Sequence, residues 1–300
     1  MMNVVIYTMK RILTGLLTLL YGCTAMAQTG LTISELLFQP HPGEAEYVEL
    51  YNNSDWRVDL SDYHIVRWVS GSFGSHYALP SHIVESHDYV VLTTDAASVA
   101  ANYDVKYSGK VVECSLPQYP NAGGRVVLAT AFGAVVDTFD YSPSMHSRLL
   151  RNKAGVALER RSFAKPTDEP LNWYSASSVC GYGTPGYENS QSRETLAEER
   201  WFAFSSTIVS PDGDGYQDWL EVVYDIEDGE LMGRVELFDA RGVMVRCLVN
   251  NLLLGTHGTI VWDCRDENDR TVARGHYIVL ITLYGTEGTQ QVIRRAVAVM

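Results

Sequence analysis

The sharpest chemical motif in the sequence is the acidic stretch 210–221, SPDGDGYQDWLE. Calcium-binding loops place oxygen ligands at alternating positions and a glycine at the sixth, where the chain turns sharply. Gly215 occupies that sixth position, and Ser210 stands where the pattern has its first aspartate. The candidate calcium ligands are Asp212, Asp214, Tyr216, Asp218 and Glu221.

Two interpretations of this loop stay open. Its three aspartates repel one another unless a cation or amide donors compensate their charge. Calcium would do so, with the weak to moderate affinity that suits extracellular concentrations. The alternative is a turn in which aspartate side chains bond their own backbone and no metal is bound.

A second acidic set lies near the start of the chain, at Glu35, Glu46 and Glu49. Grouped carboxylates can act as acid and base, so a cryptic hydrolase is a remote alternative. No histidine or further ligand set accompanies these residues. We therefore favour a solvated sheet face, or carboxylates bonded to loop amides.

The sequence lacks the common catalytic motifs GxSxG, HExxH, GxGxxG and the phosphate-binding P-loop. The three most closely spaced of its eight histidines are His76, His82 and His87. Spacings of six and five do not keep three side chains on one strand face. We expect no transition-metal site there and no enzymatic activity.

Tyrosines recur in the predicted loops of the first half. They could form a contact surface for a glycan or a protein, since tyrosine combines area with a hydroxyl. The favoured alternative is packing at the sandwich edges. The residues concerned are Tyr103, Tyr107, Tyr119, Tyr141, Tyr182 and Tyr187.

Composition narrows the function further. The 300 residues include 36 acidic and 23 basic side chains, for a net charge of −13. This balance argues against nucleic-acid binding, which needs clustered lysine and arginine. With 46% hydrophobic and 11% aromatic residues, the chain is too apolar to be disordered.

The N-terminus has the order of a secretory signal peptide. Lys10 and Arg11 precede the apolar run 12–22, and Ala27 ends a small-x-small cleavage site. Cleavage there would remove 1–27, deepen the net charge to −15 and leave no apolar span long enough to cross a bilayer. A less favoured alternative is lipidation at Cys23. Met9 is an alternative start to Met1.

Removal of the leader would leave four cysteines, an even number that permits disulfides in an exported chain. Cys247 and Cys264 could bridge neighbouring strands, and Cys114 could pair with Cys180. Four buried free thiols are an almost equally weighted alternative. None has CxxC spacing, so neither zinc nor redox chemistry is indicated.

Alternation with a period of two dominates the chain, with turn residues every 8–12 positions, which predicts short strands of β-sandwiches. One helix is predicted at 96–103, capped by Asp95. The polar stretch 191–200 separates a domain at 28–190 from one at 201–300. Strands are predicted at 31–38, 47–52, 64–69, 89–93, 125–129, 135–141, 201–209, 220–225, 234–239, 244–249, 259–262, 275–284 and 290–299.

Residues 31–190 carry an ordered series of motifs: ISELLFQP, EYVELYNNSDWRVDLSDYHI, GGRVVLATAFGAVVDTFDY, GVALERR and GYGTPGYEN. This series resembles the lamin-tail domain of secreted bacterial proteins. The resemblance implies an immunoglobulin-like β-sandwich that binds or positions something. Such domains accompany secreted hydrolases and surface proteins, but here no hydrolase domain is attached.

Residues 202–299 carry SPDGDGYQD, GRVELFDARGVMVRCL and GTIVWDCRDENDRTVARGHYIV. These resemble the immunoglobulin-like domain of flagellar hook-capping proteins and related C-terminal domains of Bacteroidetes gliding and surface proteins. The resemblance implies a possible type IX sorting domain. The alternative is a sandwich that stays in the periplasm.

Taken together, the sequence predicts an all-β protein with two immunoglobulin-like sandwiches in tandem after a signal peptide. The expected function is a non-catalytic module of the cell envelope or surface, whose partner is an envelope or surface protein or a glycan. The alternative is a type IX secreted adhesin that binds host glycan or protein.

Overall fold

The structure, a computed structural model, describes residues 30–169, 171–193, 201–227 and 230–300. These residues form two Ig-like β-sandwiches, so the predicted all-β class is confirmed. The predicted signal peptide, with Cys23 and both candidate starts, lies outside the described residues, as do residues 194–200. Within the described part of the chain, no helix is long and apolar enough to span a membrane.

The first sandwich packs a six-stranded sheet, in the order β12-β11-β1-β2-β7-β8, against a four-stranded sheet, β10-β9-β4-β5. A short β3–β6 ribbon and helix α1 (Ala96–Asn102) complete it. The strands are β1 (Leu31–Leu37), β2 (Tyr47–Asn52), β3 (Val58–Asp59), β4 (Tyr63–Val69), β5 (Ser72–Ala78), β6 (Ile83–Val84), β7 (Tyr89–Thr93), β8 (Val111–Glu113), β9 (Gly124–Thr130), β10 (Val135–Tyr141), β11 (Leu158–Arg160) and β12 (Trp173–Ser175).

The six-stranded sheet is covered on both faces. One face contributes Leu36, Leu50 and Leu158 to the core between the sheets, where Phe139 stacks on Trp173 at 3.6 Å. The other face carries a second apolar cluster formed with α1 and the chain that follows β12. All seven residues of β1 are therefore buried, and its polar positions do not reach solvent.

The second sandwich packs the sheet β13-β15-β18 against β14-β20-β19-β16-β17. Trp262 is fully buried between them, with Val222, Leu237 and Val279. The strands are β13 (Trp201–Phe204), β14 (Ile208–Val209), β15 (Leu220–Asp225), β16 (Leu231–Asp239), β17 (Met244–Leu254), β18 (His257–Trp262), β19 (Gly275–Tyr284) and β20 (Gln290–Val299).

Most predicted elements form close to their predicted bounds. Helix α1 begins where predicted, with the Asp95 carboxylate accepting the Ser98 amide at 2.9 Å. The predicted strand 201–209 is instead two strands, because the Ser206 hydroxyl accepts the Ile208 amide and turns the chain between them. Strand β5 was not predicted, because its residues, SFGSHYA, lack a clear alternation of apolar and polar types. Nearly all of them are exposed in the structure.

Several hydrogen bonds join the two sandwiches directly. The hydroxyls of Ser177 and Ser178 donate to the carbonyl of Leu253, and the Thr256 amide donates to the carbonyl of Ser190. Arg193 pairs with Asp225 at 2.8 Å. The first residues of the stretch predicted as a linker are thus packed between the sandwiches.

We expect Gly255→Ala to disrupt this junction. A Cβ at position 255 would collide with the backbone carbonyl of Ser190, which cannot move away as a side chain could. Overpacking of this kind costs about 1–3 kcal/mol. Urea unfolding should show the loss, and hydrogen exchange should show faster exchange at 184–193.

Gly109→Ala is the matched control, because a Cβ there meets no atom within 4 Å. Equal effects of the two substitutions would contradict a packed junction at Gly255.

Candidate functional site

Three glutamates lie side by side on adjacent strands of the first sandwich. Glu35 of β1 stands opposite Glu159 of β11 on one side and opposite Glu49 of β2 on the other. All three have no solvent-exposed surface. Like charges directly opposite in a sheet repel, so this arrangement needs protons or strong donors to be stable.

The donors come from residues 184–191, which we call the clamp segment. Glu35 accepts the Thr184 amide at 3.1 Å, Glu49 accepts the Gly186 amide at 2.7 Å, and Glu159 accepts the Gln191 amide at 2.9 Å. The Tyr47 hydroxyl donates to Glu35 at 2.5 Å. Each carboxyl thus fixes a point of the chain that crosses the sheet.

The Thr184 hydroxyl bridges two of the carboxyls. It lies 3.0 Å from Oε2 of Glu35 and 2.9 Å from Oε1 of Glu159. A hydroxyl has one hydrogen to donate, so satisfying both contacts requires that one carboxyl be protonated and donate to it.

Burial raises the pKa values of these carboxyls, which favours their protonated form. It raises the pKa of Glu35 to about 8, with added repulsion from Glu159, and raises that of Glu159 to about 7. The pKa of Glu49 is also raised well above its usual range by burial. The nearest strong cation on β11, Arg160, pairs with Asp137 instead.

The clamp segment also connects to the second sandwich. The Ser190 hydroxyl donates to Glu159 at 2.7 Å and accepts the Ser177 amide, while the Ser190 carbonyl accepts the Thr256 amide. A continuous chain of bonds therefore runs from the buried carboxyls to the neighbouring sandwich.

The prediction that Glu35 and Glu49 bond loop amides is confirmed, and the solvated sheet face is wrong because the sheet is covered on both faces. Glu46 lies apart from them, beside the Tyr119 amide at 3.2 Å. Sequence reasoning missed Glu159. Its signal was a glutamate that directly follows the buried apolar run 156–158.

The acidic loop brings three of its five predicted ligands together. Oxygen atoms of Asp212, Asp214 and Asp218 lie within 4.8 Å of one another. Backbone amides also approach them: Asp218 accepts Gly213 and Gly215 at 2.7 and 2.8 Å. The convergence suits a cation, and the amide bonds also suit a turn without metal.

Of the other two predicted ligands, Glu221 is not among the carboxylates that converge. The Glu221 carboxylate lies on β15, where it accepts the Trp219 indole at 3.0 Å. Tyr216 is 71% exposed, and its amide donates to Asp214. Strand β15 begins at Leu220, and this start separates Glu221 from the loop.

The four candidate disulfide cysteines, Cys114, Cys180, Cys247 and Cys264, are free thiols. The structure forms neither candidate bridge, and the alternative of four buried thiols holds for Cys264 only, since the other three are partly exposed. Cys247 lies on β17 and Cys264 follows β18, and these strands belong to different sheets. Burial raises the pKa of Cys114 and of Cys264 to about 11, which keeps both thiols protonated.

Three of the six tyrosines pack in the interior, as the favoured alternative expected, and do not form a contact surface. Tyr103, Tyr119 and Tyr141 are buried, with at most 8% of their surface exposed. The hydroxyls of Tyr103 and Tyr141 donate to the carbonyls of Gly155 and Pro120. Tyr182 and Tyr187 are half-buried, and Tyr107 alone of the six is largely exposed.

The three histidines lie in separate surroundings. His76 packs edge-on against His64 at 5.7 Å, and His87 pairs with Asp55 at 3.0 Å. The His82 amide donates to Asp59.

Comparison with known proteins gives one family. Residues 24–143 match the family model of the Lamin Tail Domain. Glu35 and Glu49 lie inside this match, whereas Glu159 and the clamp segment follow it. A search of the curated proteins found no match.

Solved structures show only distant likenesses. FlgD from Xanthomonas campestris, described in connection with the hook capping essential for flagellar assembly, is 22% identical with a TM-score of 0.23, covering 27% of this chain and 58% of FlgD. Latent PorU from Porphyromonas gingivalis is 9% identical with a TM-score of 0.27, covering 93% of this chain and 21% of PorU. These TM-scores are too low to carry an argument about function. The family match is partial: residues 24–143, in the first sandwich, are similar to the Lamin Tail Domain.

Proposed function

We propose that this protein is a non-catalytic, exported module of the bacterial cell envelope or surface. The observation that carries the proposal is that the buried glutamates hold the clamp segment in place. The motifs that resemble lamin-tail domains, ISELL, EYVEL, LER and GTPG, converge on one cluster. Its carboxyls bond the clamp segment and thereby fix the chain. In this proposal the signature residues build a scaffold that presents surfaces to a partner.

Export is tested on the protein purified from the organism that encodes it. Mass spectrometry should find Gln28 as the first residue of the mature chain. A mature chain that carries a lipid on Cys23 would instead identify the protein as a lipoprotein. An uncleaved chain in the cytoplasm would contradict the proposal.

Fractionation and protease treatment of intact cells then locate the mature chain. The module proposal expects it in the periplasm, at the outer membrane or on the surface. Surface exposure together with loss of 201–300 on sorting would favour the type IX adhesin. Intact protein confined to the periplasm would rule that alternative out.

We also propose that the loop 210–221 binds calcium. The support is the convergence of Asp212, Asp214 and Asp218, three carboxylates on a loop whose glycines 213 and 215 adopt positive φ angles and turn the chain sharply. An extracellular module meets millimolar calcium, so weak affinity is sufficient.

Calcium should raise the melting temperature of the second sandwich. A ligand present at ten times its dissociation constant stabilises by about 1.4 kcal/mol, which corresponds to several degrees in a domain of this size. Scanning calorimetry with millimolar calcium, against the same concentration of magnesium, measures the rise.

Asp214→Ala should abolish the calcium effect. Glu287→Ala, in an exposed turn of the same sandwich, should leave it unchanged. A melting temperature that calcium does not move would show that the loop is an aspartate-rich turn without metal.

A further inference from the structure

A cavity of about 800 Å³ lies at one end of the first sandwich, between the β1–β2 connection and the chain that leads into β9. Its volume is within the usual range of small-ligand sites. Prolines form much of its wall and restrict its backbone, so the shape is largely pre-formed. They are Pro40, Pro42, Pro117 and Pro120.

Glu46 is a charged group in this wall. It directly precedes β2 and is half-buried. Its Oε2 atom accepts the Tyr119 amide at 3.2 Å, and no hydrogen bond to Oε1 is found among the described residues. Burial of this carboxylate raises its pKa to about 7.

Among the described residues around the cavity, no strong counter-charge to Glu46 is found. No lysine or arginine is among the residues lining the cavity. The other titratable groups around it are His41 and Glu44 on the same connection, Tyr119 opposite and Tyr141 on β10. Glu44 bonds the His41 amide at 3.1 Å and adds negative charge at the rim. A partly desolvated carboxylate in such a setting favours a cation from outside.

The residues that line the cavity indicate which kind of molecule would bring that cation. Leu116 and the proline rings can pack methylene groups. The Tyr119 ring is 3% exposed and offers no open face on which a sugar or a guanidinium could stack. One oxygen of Glu46 is already engaged, which suits the point charge of an ammonium better than a two-pronged guanidinium.

We propose that this cavity binds a primary ammonium on an aliphatic chain, the lysine side chain of a partner protein, with Glu46 as its counter-charge. The inference rests on the proposed function as a binding module and names the chemistry that the module recognises. The prolines and Leu116 contact the methylene stem, and Oε1 of Glu46 accepts from the ammonium.

The test is an NMR titration of the ¹⁵N-labelled mature chain with N-acetyl-lysine methylamide at pH 8. We expect millimolar binding, with shifts at the amides of Ala45, Gln118 and Tyr119. N-acetyl-norleucine methylamide, which has the same four-carbon stem without the ammonium, should bind at least about tenfold more weakly, since it lacks the charged donor. Binding should also weaken below pH 7, where Glu46 gains a proton.

Glu46→Gln should lose the lysine binding, while its amide oxygen can still accept the Tyr119 amide and preserve the fold. Glu85→Gln, at an exposed site of the same sandwich, should bind as the unmodified chain does. Equal binding of the lysine and norleucine probes, or tighter binding of N-acetyl-arginine methylamide, would overturn the proposal. Export and fractionation are measured separately, so the proposed function would survive that result.

Discussion

Raising the pH from 6.5 to 8 should destabilise the first sandwich, because its buried glutamates keep protons that the unfolded chain releases. An unfolded glutamate has a pKa near 4.5, whereas the folded values of Glu159 and Glu35 are about 7 and 8. Their contribution to stability is therefore complete below pH 4.5 and is lost as the pH rises through the folded values. Each proton that the folded chain holds and the unfolded chain has released lowers the free energy of unfolding by about 1.4 kcal/mol per pH unit.

The starting pH of 6.5 avoids an opposing effect. Burial lowers the pKa of His146 to about 4, so the unfolded chain takes up a proton there below pH 6.5. That group makes stability rise with pH between 4 and 6.5, against the trend of the glutamates. Above this range the glutamates dominate.

Urea unfolding at several pH values within this window measures the slope. Glu35→Gln should flatten it by about one proton, because an amide does not ionise. Glu46→Gln accounts for the separate contribution of Glu46, whose pKa of about 7 acts in the same direction. A stability that rises with pH in the unmodified protein would contradict the protonated cluster.

Glu159→Ala should destabilise the first sandwich by about 3–5 kcal/mol. The carboxyl of Glu159 accepts from the Ser190 hydroxyl and the Gln191 amide, and it contacts the Thr184 hydroxyl. Removing it takes away the acceptor of the Ser190 hydroxyl and the Gln191 amide, at about 1–3 kcal/mol for each lost hydrogen bond. Denaturant unfolding gives the magnitude.

Glu159→Gln separates hydrogen bonding from charge. A glutamine oxygen in the place of Oε2 still accepts the Ser190 hydroxyl and the Gln191 amide, and its NH2 group can donate to the Thr184 hydroxyl. This variant should therefore retain most of the stability if the native carboxyl is neutral or nearly so. Hydrogen exchange at 184–191 should be fast in the alanine variant and slow in the glutamine variant. Equal damage from both substitutions would mean that the cluster depends on an ionised Glu159.

Much of the fold could be predicted from the sequence, because alternation and turn residues are local signals. Helix α1 and its Asp95 cap follow from such signals, as do strands β2 and β7. The buried environment of the glutamates could not be predicted from such local signals. Alternation shows that Glu35 and Val48 belong to opposite faces of a sheet, but it does not show that both faces are covered.

Prediction of the acidic loop and of the cysteine pairing from the sequence was limited for the same reason. The spacing predicted that Asp212, Asp214 and Asp218 converge, because a tight turn brings near neighbours together. It could not place Glu221, whose position depends on where β15 begins. The pairing of Cys247 with Cys264 depended on how two strands lie relative to each other, and that arrangement is a property of the whole fold. Calcium binding itself stays a prediction.

The parallel pairing of β14 with β20 bears on how the second sandwich folds. It places Ile208 beside Ala298, so the sheet joins the first and last parts of that unit. Closing so long a loop costs entropy before any contact repays it, and non-local pairings of this kind slow folding. Hairpins such as β16–β17 can form early, but β14 has no partner until β20 has arrived. A chain threaded through a membrane N-terminus first would therefore keep this sheet open until its last strand emerged.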